Sequence, residues 1–177
     1  GHLADPEDHT TDPAPEYRPP DLRAGDGPQA ALAAELAQMT APLDMLNPIR
    51  PVLGTGAGPG TLVPSFGLEL DPEACNTPSR TISLDDALAV GVPDPADSGL
   101  LPEIRERIEL IGDCVPQGVY IAVPDLQGPF NLAHMILGDE EFLSPLERPD
   151  DFLRLMDNIT TFWLAARDNL RAWIGPD

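Results

Sequence analysis

The sequence predicts an α/β fold, and three stretches carry that reading. Gly118-Val-Tyr-Ile-Ala-Val-Pro124 is a short apolar run rich in β-branched and aromatic residues, which fits a strand buried on both faces as in a parallel sheet. A polar turn, Asp125-Leu-Gln-Gly-Pro129, separates it from a helical stretch over 130–137. Then Phe152, Leu155, Met156, Ile159, Phe162, Trp163, Ala166, Leu170 and Trp173 mark one stripe of a helix about six turns long. Strand, polar loop and helix in that order belong to α/β layering.

The elements before these follow from local chemistry. Residues 1–28 hold six prolines and seven acids, with only Leu3, Tyr17 and Leu22 as sizeable apolar groups. Such a segment cannot bury enough surface to offset its ordering entropy, so it reads as an extended acidic arm. The second unit, residues 29–177, opens with a helix after Pro28, where Leu32, Leu36 and Met39 recur at helical spacing. Residues 42–67 contain five prolines and five glycines, which forbids a long regular element and leaves a structured loop with short extended pieces. Ser83-Leu-Asp-Asp86 is an N-cap followed by first-turn acids, and it predicts a short helix over 84–90. Leu101, Ile104, Ile108 and Ile111 predict the next amphipathic helix, ended by Gly112.

Composition narrows the function. Of 177 residues 30 are acidic and 10 basic, for a net charge of −20, and every basic residue is an arginine, scattered singly or in the pair Arg105/Arg107. Nucleic-acid and anionic-membrane binding need clustered cations, so neither partner is expected. Without lysine, this chain holds no Schiff-base residue, P-loop lysine or polybasic anchor. An apolar share of 42% supports one core. Cys75 and Cys114 lack CxxC spacing, which predicts neither a zinc ribbon nor a disulfide framework and favours a reduced, cytoplasmic protein. No apolar run reaches the ~20 residues of a membrane span, and the acidic, proline-rich start is unlike a signal peptide. Gly1-His2 reads as a tag-removal scar or as the start of a piece of a longer product.

Ligands of α/β folds bind at the carboxyl ends of parallel strands. Asp125, Gln127 and Asn131 occupy that place after the apolar run, and His134 follows one helical turn later. They can supply a carboxylate, two amides and an imidazole that titrates near neutrality. The alternative is that Asp125 and Asn131 cap the loop and helix while His134 is a satisfied, half-buried histidine. Gly54-Thr-Gly-Ala-Gly-Pro-Gly60 has the composition of a phosphate cradle. No strand is evident before it and Pro59 removes an N–H, so it reads as a close-packed turn. The carboxylate groups Asp85-Asp86, Asp139-Glu-Glu141 and Asp150-Asp151 invite a metal or acid/base reading, but each stands where a helix starts, where negative charge is favourable in itself.

Val123-Pro-Asp-Leu-Gln-Gly-Pro-Phe-Asn-Leu-Ala-His-Met-Ile-Leu-Gly138, followed by Asp139-Glu-Glu-Phe-Leu143 and Glu147-Arg-Pro149, resembles the uroporphyrinogen decarboxylase superfamily, which includes related cobalamin-dependent methyltransferases. Gly128-Pro129-Phe130-Asn131-Leu132, Gly138 and Pro149-Asp150 take the places of the family's helix start, its following glycine and its entry into a long helix. Gly54-Thr-Gly56 and Ser65-Phe-Gly67 resemble an upstream loop of bacterial relatives, so the likeness spans residues 30–174. It implies the amino-terminal half of a TIM-type (β/α)8 barrel, since that fold takes about 250 residues and cannot close within this chain. It also implies an oligomer or a partner chain that completes the barrel, and decarboxylation (lyase) or methyl transfer in porphyrin- or corrinoid-linked metabolism. No cofactor is evident; corrinoid or zinc would enter only through a carboxyl-terminal half. The family's arginine-rich motif is absent, Leu53 to Ser65 contains no acid where the family has its aspartate, and His134 replaces its tyrosine, which implies a relative of the haem-pathway enzyme. In this resemblance His134 is the proton donor or substrate reader, and Asp125 orients it or the ligand. Gln127 and Asn131 contact the small-molecule substrate, and Arg50 is either a carboxylate clamp or a solvated surface residue. The rival expectation is a non-catalytic assembly module that docks on a partner through its arm.

Overall fold

A computed structural model describes residues 52–71, 76–114 and 119–175, together with the helical backbone at Ala30, Ala33 and Ala34. Those three alanines fall within the helix predicted after Pro28. The acidic arm, Arg50 and Cys75 lie outside the described residues.

The chain order is β1 (Val52–Leu53), a 3-10 turn (Val63–Phe66), β2 (Leu70–Asp71), β3 (Thr77–Pro78), α1 (Leu84–Val90), α2 (Leu101–Cys114), β4 (Tyr120–Ile121), α3 (Pro129–Leu137), α4 (Glu140–Glu147) and α5 (Pro149–Ile174). The mixed α/β class is as the sequence predicts. Among the described residues the sheets are two-stranded and no barrel closes.

Helix α5 organises the core. Phe152, Leu155, Ile159, Phe162, Ala166 and Leu170 recur every three or four residues and are all buried. Helices α1, α2, α3 and α4 each pack on α5. Phe162 meets Phe66 of the 3-10 turn edge to face, with centroids 5.7 Å apart, which draws the proline- and glycine-rich segment onto the same core. The start of α5 has Pro149 in its first turn and Asp150 and Asp151 near the positive end of the helix dipole. Just before it, the Arg148 guanidinium donates to Asp151 at 2.7 Å and to Asp85, in the first turn of α1, at 2.6 Å. One arginine therefore clasps the N-termini of two helices, and it holds the Asp85 carboxyl below its usual range. The Ser83 cap on α1 forms as expected, its hydroxyl accepting from the Asp86 N–H at 3.2 Å.

β1 and β4 run parallel, with Val52 opposite Tyr120 and Leu53 opposite Ile121. The Ala122 N–H donates to the Leu53 carbonyl at 2.8 Å. Leu53 packs on Ile111 of α2, with Cys114, Val119 and Ile121 against them. Two expectations are corrected here. Among the described residues the strand predicted over 118–124 pairs at Tyr120–Ile121, and it is not buried on both faces: Tyr120 and Ile121 are partly buried and Val123 beyond them is 43% exposed, since the pair has no further strand beside it there. Helix α2 also runs through Gly112 to Cys114, since a glycine within a helix costs only about 1 kcal/mol relative to alanine.

Two glycines with opposite surroundings test this packing. A Cβ on Gly112 would meet nothing within 4 Å, whereas on Gly99, at φ +57°, it would lie 2.6 Å from the Ser65 nitrogen. Gly112→Ala is expected to raise stability by about 0.5–1 kcal/mol, and Gly99→Ala to lower it by about 1–3 kcal/mol, both read from urea unfolding midpoints.

Candidate functional site

Because β1 and β4 are parallel and in register, the loops that leave them emerge at the same edge. Residues 54–58 follow β1, residues 122–125 follow β4, and between them, with Asn76 of the β2–β3 turn, lies a cleft of about 320 Å³. The glycine run is thus preceded by a strand, contrary to the expectation from sequence, and it leaves the carboxyl end of that strand. Two residues are too few to register as a period, which is why the strand was not legible. Pro59, the objection to a donor-rich loop, is not part of the lining.

On the β1 side of the cleft one side chain, Thr55, lines the wall, and another, Arg107, supports the loop from behind. Thr55 is 5% exposed, and its hydroxyl is buried without a hydrogen-bond partner. Arg107, on α2, is buried, and its Nε donates to the Gly54 carbonyl at 3.3 Å. Sequence reasoning missed Arg107, although a signal was there: it occupies the same helical face as Ile104, Ile108 and Ile111, where a solvated arginine does not belong.

On the β4 side, three of the predicted residues form one hydrogen-bonded chain. Asp125 Oδ1 accepts from the Gln127 N–H at 3.0 Å, and its Oδ2 accepts from Gln127 Nε2 at 2.6 Å. Gln127 Oε1 in turn accepts from Asn131 Nδ2 at 2.9 Å. The indole of Trp163 on α5 donates to the Gln127 carbonyl at 2.7 Å. These four bonds hold Gln127 at φ +53°, a conformation that costs a non-glycine residue of order 1 kcal/mol. Of the three, Asp125 lines the cleft.

His134 sits elsewhere. It lies in the last turn of α3, outside the cleft lining, half exposed, with its ring 5.4 Å from that of Phe142. The carboxylate beside it is Glu141 rather than Asp125: Nδ1 lies 3.1 Å from Glu141 Oε2. The approach is close enough for an ion pair but too poorly aligned for a hydrogen bond, so both Glu141 oxygens are buried without one. Burial pushes the Glu141 carboxyl above its ordinary range, and His134 offsets part of that rise. Glu141 does stand in the first turn of α4 as the sequence suggests, yet its side chain is fully buried. Arg50 lies outside the described residues.

Among the described residues, no three His, Cys, Asp or Glu side chains cluster as metal ligands, and no helix is long and apolar enough to cross a membrane.

The raised Glu141 pKa has a definite sign in stability. The fold favours the protonated form, so Glu141 adds stability on acidification through its raised range and loses it as pH rises through that range. Glu141→Met removes the buried charge at similar volume. The variant is expected to be more stable than the wild type at pH 8 by about 1 kcal/mol, with the difference shrinking as pH falls; urea unfolding at stepped pH measures it.

No family model, curated protein or solved structure matches this chain.

Proposed function

We propose that this chain is the amino-terminal half of a TIM-type barrel enzyme of the uroporphyrinogen decarboxylase kind. In this reading it acts on a small organic, tetrapyrrole or corrinoid-linked substrate by decarboxylation or methyl transfer. The observation that carries the reading is the cleft at the carboxyl ends of two parallel strands, where barrel enzymes place their chemistry. The helices α1 and α2 between β1 and β4 are what a parallel connection requires. The resembling segment begins with Val123-Pro-Asp125, which line the second wall, and continues into the helix that follows it.

The roles follow from position. Asp125 meets the substrate as the carboxylate on the cleft wall. Gln127 and Asn131 position it by fixing its orientation through hydrogen bonds. His134, held against Glu141 at the far end of α3, serves the corner between α3 and α4.

Exposed Val52 and Val123 beside the β1–β4 pair, with Phe142, Leu143 and Leu146 on α4, favour a partner surface. They support completion of the barrel by another chain, and equally the second reading, a non-catalytic docking module. Turnover separates the two. Light scattering should find at least twice the 19.0 kDa of one chain, and that assembly should release CO2 from uroporphyrinogen or transfer a methyl group from a methylcorrinoid. Asp125→Ala should lower the rate by about 10²–10⁴-fold. Absence of turnover on both substrate classes overturns the enzyme reading.

A further inference from the structure

The geometry points to an oxyanion-binding subsite in the β1 wall of the cleft, built from main-chain donors and Thr55, that takes the carboxylate or phosphoryl group of a small molecule. It rests on the cleft being the ligand site and adds the chemical class of the group bound there.

The first observation is the Thr55 hydroxyl. It lines the cleft, is buried, and finds no partner within the protein. A hydroxyl left in that state costs about 1–3 kcal/mol, and because the oxygen itself is shielded from solvent, a ligand acceptor removes that cost by displacing the loop enough to meet it. The second is the main chain around it. Among the described residues nothing accepts from the N–H groups of Thr55, Gly56 and Ala57, and Gly56, at φ +80°, has the left-handed conformation that lets successive amides face one side.

Arg107 aims one of these donors. Its Nε holds the Gly54 carbonyl toward α2. In a trans peptide the following N–H points opposite to the carbonyl, so this grip turns the Thr55 N–H away from α2. The guanidinium also polarises that amide, which makes its N–H a stronger donor. Arg107 is therefore a positioning residue behind the loop.

The surroundings fit an acceptor-rich group. Residues 54–58 contain no acid. Among the described residues Asp125 is the one acid in the lining, and it stands on the opposite wall. Unpaired neutral donors on one short loop can hold a small oxyanion even in a chain with a net charge of −20.

The test is amide NMR of the full chain titrated with inorganic phosphate and, separately, with acetate, each against sodium chloride at equal ionic strength. The Thr55, Gly56 and Ala57 amides are expected to shift saturably. Response to phosphate alone assigns a phosphoryl group, to acetate alone a carboxylate, and to both a subsite open to either. Thr55→Val should weaken the response about tenfold, and Thr55→Ser, which restores the hydroxyl, should recover it. If neither ion moves these amides more than chloride does, or if Thr55→Val binds as the wild type does, the subsite is overturned. Turnover without anion-dependent shifts would reject the subsite and keep the enzyme; shifts without turnover would do the reverse.

Discussion

The apolar stripe of α5 is the constraint from which the rest of the structure follows. Its buried side chains provide the surface on which α1 to α4 and the 3-10 turn assemble, and each of the Leu, Ile and Phe side chains contributes on the order of 1.5–3 kcal/mol when fully buried. Arg148 fixes where that stripe begins by tying the start of α5 to the start of α1. Trp163, on a neighbouring face of α5, reaches the Gln127 carbonyl, so the helix that builds the core also holds the loop that walls the cleft. Core and site are joined through that indole and through Leu126 of the same loop, which is buried in the core.

The cleft itself depends on a much smaller interaction. Two residues of β1 against two of β4 set the direction in which the loops leave the sheet. Each wall is backed by a residue in an unfavourable setting: Gln127 at positive φ behind one, and a buried Arg107 beneath the glycine loop of the other. Each is held by specific hydrogen bonds, and backbone strain such as that at Gln127 gathers at functional sites because surrounding structure can over-determine it. His134 and Glu141 have the opposite character. They lie at the α3–α4 corner, where Gly138 at φ +61° reverses the chain and its N–H bonds the His134 carbonyl.

Much of this was legible in the sequence because it is local. The period of α5, the Ser83 cap, the Gly128-Pro129 helix start and the acids in first turns each follow from neighbours a few residues away. The hydrogen-bonded set Asp125, Gln127 and Asn131 was legible for the same reason, since it spans seven residues. What escaped is decided across the chain. β1 is too short to show alternation and becomes a strand only through β4. Gly112 would end a helix by local rule, yet α2 continues to Cys114. Glu141 looks like any first-turn acid until packing buries it, and Arg107 acquires its role only when Gly54 is brought beneath α2.

The central claim is that parallel pairing of β1 with β4 creates the cleft, and the Ala122 amide reports on it directly. Its N–H donates to the Leu53 carbonyl across the two strands at 2.8 Å. Amide hydrogen exchange on the full chain should show Ala122 protected well above Val123 and Asp125 in the loop beside it. Exchange of Ala122 at the rate of an unstructured chain would mean that the strands do not pair, and would contradict the account of the site.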